Sequence, residues 1–146
     1  MSIEISEVTH LTDELVDSVQ RMLPQLSPLA TELNHDELVQ IVSAPCCTLF
    51  IAREVNRDEM VGTLILVVFR GLTGIKARIE DVVVDKRARG RGIGTALIQR
   101  ALDHAASLQA HTVELTSRPA RTVANSLYQR LGFVQRDTNV YCYEIG

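Results

Sequence analysis

Between residues 85 and 99 the sequence reads "DKRARGRGIGTALIQ", with Gly90, Gly92 and Gly94 alternating with Arg89, Arg91, Ile93 and Thr95. A helix predicted to start near Gly92 leaves its first backbone N–H groups without partners, and its dipole adds roughly half a positive charge at that end. Glycine permits φ > 0 and lets a bulky anion approach the chain. Arg87, Arg89 and Arg91 add local positive charge. Together these features describe a cradle for phosphate or pyrophosphate. Two common phosphate motifs do not fit. The dinucleotide fingerprint needs a third glycine where Thr95 or Leu97 stands, and the P-loop needs a Gly-Lys-Ser/Thr that is absent. Taken alone, the residues also fit a glycine-rich turn under a solvated basic face.

The rest of the chain keeps any phosphate-binding surface local. Fifteen Lys and Arg against 18 Asp and Glu leave a net charge of -3, which argues against a general nucleic-acid binder. No aromatic residue interleaves the run from Lys86 to Arg91 to stack on bases. No apolar run approaches the ~20 residues that span a bilayer, and "MSIEISEVTHLTDE" has no basic stretch leading into an apolar one. The expectation is a cytoplasmic protein with neither nucleic acid nor membrane as partner. Cys46, Cys47 and Cys142 lack C-x-x-C spacing and read as reduced thiols, and the four histidines lack ligand spacing, so no metal is expected. At 146 residues the chain is long enough for a substantial core, and residues 1–146 read as a single domain.

The elements that must position the glycine segment follow from periodicity. Residues 3–9 alternate as a strand, and Thr12 caps an amphipathic helix through Leu15, Val16, Val19 and Leu23, after which Pro24 and Pro28 break the chain. Asn34 with Glu37 marks a second helix start, ended by Pro45. Strands are predicted over 46–54, 60–69 and 77–84, with short polar turns that favour antiparallel pairing. Ile93, Leu97, Ala101, Leu102 and Ala105 repeat at helical spacing. Residues 111–117 form a further strand, Pro119 opens a helix striped by Ala124, Leu127, Tyr128 and Leu131, and Gly132 stops it. The last residues, "FVQRDTNVYCYEI", are expected to form a hairpin. The fold class is α/β: one mixed, mostly antiparallel sheet with helices on both faces.

In this context "RGRGIG" (89–94) resembles the R/Q-x-x-G-x-G/A signature of the GNAT superfamily of N-acetyltransferases, preceded by the strand "IEDVVVD" and followed by the expected helix. The segment "SRPARTVANSLYQRLGF" (117–133) is similar to the family's later helix with its "LY-x-x-x-GF" ending, and the element order extends the resemblance over nearly the whole chain. The resemblance implies acetyl-CoA as co-substrate. Backbone N–H groups from Arg89 through Gly90, Arg91, Gly92, Ile93 and Gly94 to Thr95 would hold its pyrophosphate, with the Ile93 side chain turned inward. The main chain of Val82, Val83 and Val84 would bond the pantetheine arm where the family's sheet splays open, and the Val82 N–H would polarise the thioester carbonyl.

The same resemblance suggests proton carriers. An amine with a pKa near ~10.4 is mostly ammonium at neutral pH, and Glu80 is the candidate base; similar polyamine acetyltransferases carry a glutamate there. Period-two geometry places Glu80 on the face of Val82 and Val84 and Asp81 opposite, unless a bulge of the kind the family carries swaps the faces; Asp81 is then the alternative base. Tyr128 matches the family's general acid. Arg121 stands where the family often has asparagine and is assigned to a coenzyme A phosphate or to solvent, while Asn125 lies one turn later.

The expected acceptor is a small-molecule amine or a protein amine, held around residues 23–33, the middle strands and the C-terminal hairpin, with Asp81 and Glu32 as attractors of positive charge. A homodimer stays open. The competing function is a non-catalytic acyl-CoA sensor of the same fold, which needs the cradle but neither base nor acid.

Overall fold

The computed structural model describes residues 2–30 and 32–146, and the chain divides into two compact units, Met1–Leu115 and Thr116–Gly146. The first unit is built on a five-stranded sheet in the order β1 (Ile3–Glu7), β2 (Cys47–Glu54), β3 (Glu59–Gly71), β4 (Gly74–Val84), β5 (Thr112–Glu114). The first four strands run antiparallel and β5 joins β4 in parallel. The expected mixed sheet is therefore present.

Helices α1 (Asp13–Leu26) and α2 (His35–Ser43) cover one face. The Thr12 hydroxyl accepts from the Leu15 N–H, and Asn34 and Glu37 close a reciprocal capping box, as their spacing predicts. Pro24 lies inside α1 rather than ending it. In the last turn it costs the helix one donor and leaves room for two more residues. Val16, Val19 and Met22 of α1 and Leu38 of α2 pack with Leu49, Ile51, Met60 and Val83 of the sheet into one apolar cluster.

Helix α3 (Ile93–Ser107) packs on β2, β3 and β4 through buried Ile93, Leu97, Ile98, Ala101 and Ala105. Gly62 of β3 permits that approach. A Cβ there would lie 3.0 Å from Leu97 Cδ1 and 3.3 Å from the Val83 carbonyl oxygen. Gly62→Ala is expected to lower stability by roughly 1–3 kcal/mol through overpacking, read as a fall in the urea midpoint at constant slope.

In the second unit, α4 (Thr122–Arg130) begins three residues beyond Pro119, with Arg121 at its N-cap, so Pro119 does not open the helix. Gly132 ends it at φ 100°, and the Phe133 N–H bonds the Tyr128 carbonyl at 3.0 Å, the backbone signature of a glycine stop. Residues 133–146 form neither helix nor strand, which corrects the expected hairpin. Alternating side chains make a strand only where a ladder partner takes up the backbone groups, and no ladder forms along this segment.

Candidate active site

The glycine segment sits where β4 hands over to α3, through a short 3-10 turn at Lys86–Ala88. Gly90 and Gly92 hold φ of 80° and 78°, and nothing stands within 4 Å of where a Cβ would project from either. Gly92 caps α3 with no side-chain hydrogen bond, so the first N–H groups of a 15-residue helix stay open to an anion. Ile93 is buried beneath them and anchors the turn to the core.

Arg87 is not part of that positive surface. The Asp85 side chain, 1% exposed, accepts from Arg21 Nη1 at 2.7 Å and from Arg87 Nη2 at 3.1 Å, and Arg87 also pairs with Glu59. Gln25 of α1 accepts from the Lys86 N–H at 2.8 Å, and Arg89 Nε donates to the Val84 carbonyl at 3.1 Å. These bonds tie the turn to α1 and to β4. The sequence carried no sign of them, because Arg21 and Gln25 lie more than sixty residues from Asp85 and Lys86.

Burial alone would raise the Asp85 carboxyl, but bonds from the Arg87 guanidinium and amide and from Arg21 outweigh it and hold the group well below the usual carboxylate range. A depressed carboxyl contributes stability that is complete above its unfolded value near ~3.9 and is lost as pH falls through the folded value. Asp85→Asn is expected to cost roughly 2–3 kcal/mol at pH 7, the scale of a charged hydrogen bond. Its denaturation midpoint should converge on that of the parent chain as pH falls below 4, and parallel curves would exclude this role.

Strand β4 carries a bulge. Thr63 pairs with Val83 but Ile65 with Glu80, so Leu64 faces two residues, Asp81 and Val82. Asp81 adopts φ 53°, a left-handed conformation that aspartate tolerates better than most side chains. The extra residue resets the alternation. Asp81 joins Val83 on the side of α1 and α2, and Glu80 pairs with Ile65 of that same side instead of sharing a face with Val82 and Val84. The Glu80 carboxylate accepts from Arg78 Nε at 3.1 Å. No side chain among the described residues bonds the Asp81 carboxylate, and burial together with the Glu80 charge pushes it above the usual carboxylate range.

Along its other edge β4 pairs with β5 only at Lys76, Ala77 and Arg78, so no strand ladder among the described residues engages Val82, Val83 and Val84 on that side. A pocket between α1, α2 and the sheet, lined by Asp81, Thr63 and aliphatic side chains, offers about 60 Å³ to the centres of water molecules. Glu32 is exposed and outside that lining, and Thr31, in the segment expected to hold the acceptor, lies outside the described residues.

In the second unit Tyr128 is buried and meets Phe133 edge to face at 5.9 Å. Burial pushes its phenol up, and the positive charge of Arg121 opposes that shift. Asn125 Nδ2 donates to the carbonyls of Arg118 and Arg121 and so fixes the entry to α4.

The glycine arch at the start of α3 and the bulged strand before it both lie inside the segment that a known family profile matches. The profile of the acetyltransferase (GNAT) family matches residues 12–133. The chain belongs to that family. Glucosamine 6-phosphate N-acetyltransferase 1 of Oryza sativa is 34% identical over 70 residues, 48% of this chain and 41% of the rice protein. The matched stretch spans under half the length of the curated relatives. A putative acetyltransferase of Agrobacterium tumefaciens superposes with a TM-score of 0.82 at 24% identity, covering 99% of this chain and all of that one. AAC(6')-Iy, solved with a bisubstrate analogue containing coenzyme A, gives 0.80 at 15% identity over the whole of both chains. At these identities the two structures establish the GNAT fold alone. Dependence on acetyl-CoA is general for GNAT proteins.

Proposed function

We propose that the chain is an N-acetyltransferase that moves the acetyl group of acetyl-CoA to a primary amine by direct attack. The carrying observation is the bare arch at Gly90 and Gly92, where an added Cβ would meet open space at the uncapped end of α3. Backbone N–H groups from Arg89 to Thr95 would hold the pyrophosphate, the main chain of Val82–Val84 the pantetheine arm, and Arg121 a coenzyme A phosphate. Bound acetyl-CoA supplies a thioester whose acetyl carbon takes the amine lone pair, so that a C–N bond forms, the C–S bond breaks and sulfur leaves with the electron pair.

The chain's own residues handle the two protons. One of two adjacent carboxylates, Glu80 or Asp81, removes the ammonium proton. The bulge favours Asp81, because Asp81 lines the pocket while Glu80 is engaged with Arg78. Tyr128, kept protonated by burial, supplies the proton to sulfur, and the second proton that the nitrogen sheds as the amide forms restores the phenol. The names of similar proteins, glucosamine 6-phosphate and aminoglycoside acetyltransferases, support a small-molecule amine as acceptor.

The test is thiol release from acetyl-CoA with a panel of amines, beside calorimetric binding of acetyl-CoA. Turnover on any amine supports the transferase, binding without turnover supports the acyl-CoA sensor, and no binding removes the reading of the arch. The pH profile of kcat/KM assigns the base. With Asp81 as base, the acid limb lies above the ordinary carboxylate range, and Glu80→Gln shifts it to lower pH by removing a repelling charge. Loss of the limb in Glu80→Gln would return the role to Glu80.

A further inference from the structure

The pocket beside the bulge has a composition that selects among amines, and this inference rests on the N-acetyltransferase reading. Its walls are aliphatic, with Met22 and Leu26 from α1, Leu38 from α2 and Ile65 from β3. Two polar residues enter it, Thr63 and Asp81, and none of its lining side chains is basic. The Thr63 hydroxyl is occupied, donating to the Asp81 main-chain carbonyl at 3.1 Å. Asp81 is thus the one ionisable residue of the cavity lining; it is solvent-exposed, and its carboxylate has no side-chain partner among the described residues. The next charges along the strand, Glu80 and Arg78, pair with each other at 3.1 Å, and neither residue lines the cavity.

We infer that the acceptor is an apolar amine with a single positive charge, its ammonium group at Asp81 and its hydrocarbon part between α1, α2 and the sheet. A sugar phosphate would bring its dianion to a pocket without a cation. A polyamine or aminoglycoside would press further ammonium groups against leucine and methionine, and a buried charge without a partner is strongly disfavoured. A single ammonium satisfies the carboxylate, and each methylene behind it removes apolar surface from water. Acetylation abolishes the charge, so the amide product loses its hold on Asp81 and leaves.

The experiment is calorimetric titration of the full chain, with coenzyme A present, using n-propylamine to n-hexylamine, 1-hexanol, spermidine and glucosamine 6-phosphate. Affinity is expected to rise about threefold to fourfold per added methylene until the pocket is full. Asp81→Asn, which keeps a side chain suited to φ 53°, should weaken hexylamine roughly 10-fold to 100-fold and leave hexanol nearly unchanged. Leu26→Ala, at a half-buried position, should flatten the last increments of the series. A flat alkyl series, tighter binding of spermidine or glucosamine 6-phosphate, or an Asp81→Asn variant with unchanged hexylamine affinity would overturn the inference. In those cases acetylation of any of the amines would still uphold the transferase. The expected selectivity without thiol release from any amine would remove the transferase and keep the pocket's preference.

Discussion

Tyr128→Phe is expected to lower kcat by roughly 100-fold or more, the scale of a lost general acid, while acetyl-CoA affinity changes less than about threefold. The substitution deletes one oxygen. The ring keeps its edge-to-face contact with Phe133, and the turn that ends α4 is made by backbone bonds that phenylalanine preserves. Burial holds the phenol protonated through the neutral range, and the nearby Arg121 charge lowers the cost of the phenolate that forms when the proton leaves. A proton donor that is protonated at rest and eased in transfer is what a departing thiolate needs. Steady-state thiol release and calorimetric titration of acetyl-CoA on the same preparations separate the two quantities. Turnover within threefold of the parent chain would remove Tyr128 from the reaction.

Gly92→Val is expected to weaken acetyl-CoA binding by about 100-fold, the loss of one or two charge-assisted backbone hydrogen bonds. Its cost to stability should be only about 1–2 kcal/mol, the penalty of a β-branched residue at left-handed φ. Apart from its chain neighbours, no protein atom lies within 4 Å of the Cβ position, so the damage falls on whatever occupies the open space above α3. Gly132 supplies the control: its φ is 100° and its Cβ position is equally bare, but it follows α4 and lies outside the arch. Gly132→Val should lose comparable stability and keep the acetyl-CoA affinity. Equal affinity losses in the two variants would mean that the effect is general backbone strain, and the arch would lose its assignment.

Much of the scaffold was legible along the chain because its signals are local. The Thr12 cap, the Asn34 and Glu37 capping box and the helix start at the glycines each depend on neighbours within four residues. The C-terminal residues misled for the complementary reason: "NVYCYEI" alternates like a strand, but the ladder that would realise it is not a local property. Pro24 and Pro119 were read as boundaries, and both are tolerated near helix ends at positions that the residue type does not specify.

By itself, the sequence determined the fold class, the family and the place of the glycine arch, since these follow from hydrophobic period and from glycines that adopt φ > 0. Only the tertiary structure decided which carboxylate enters the pocket. One extra residue in β4, measured against the register of β3, brings Glu80 to the face that Asp81 shares with Val83, where Arg78 engages it and Asp81 lines the pocket. The network of Arg21, Gln25 and Asp85 beside the glycine arch was likewise settled by chain segments sixty residues apart. Register and long-range ion pairs depend on which strand or helix arrives opposite, and no window along a single strand carries that information.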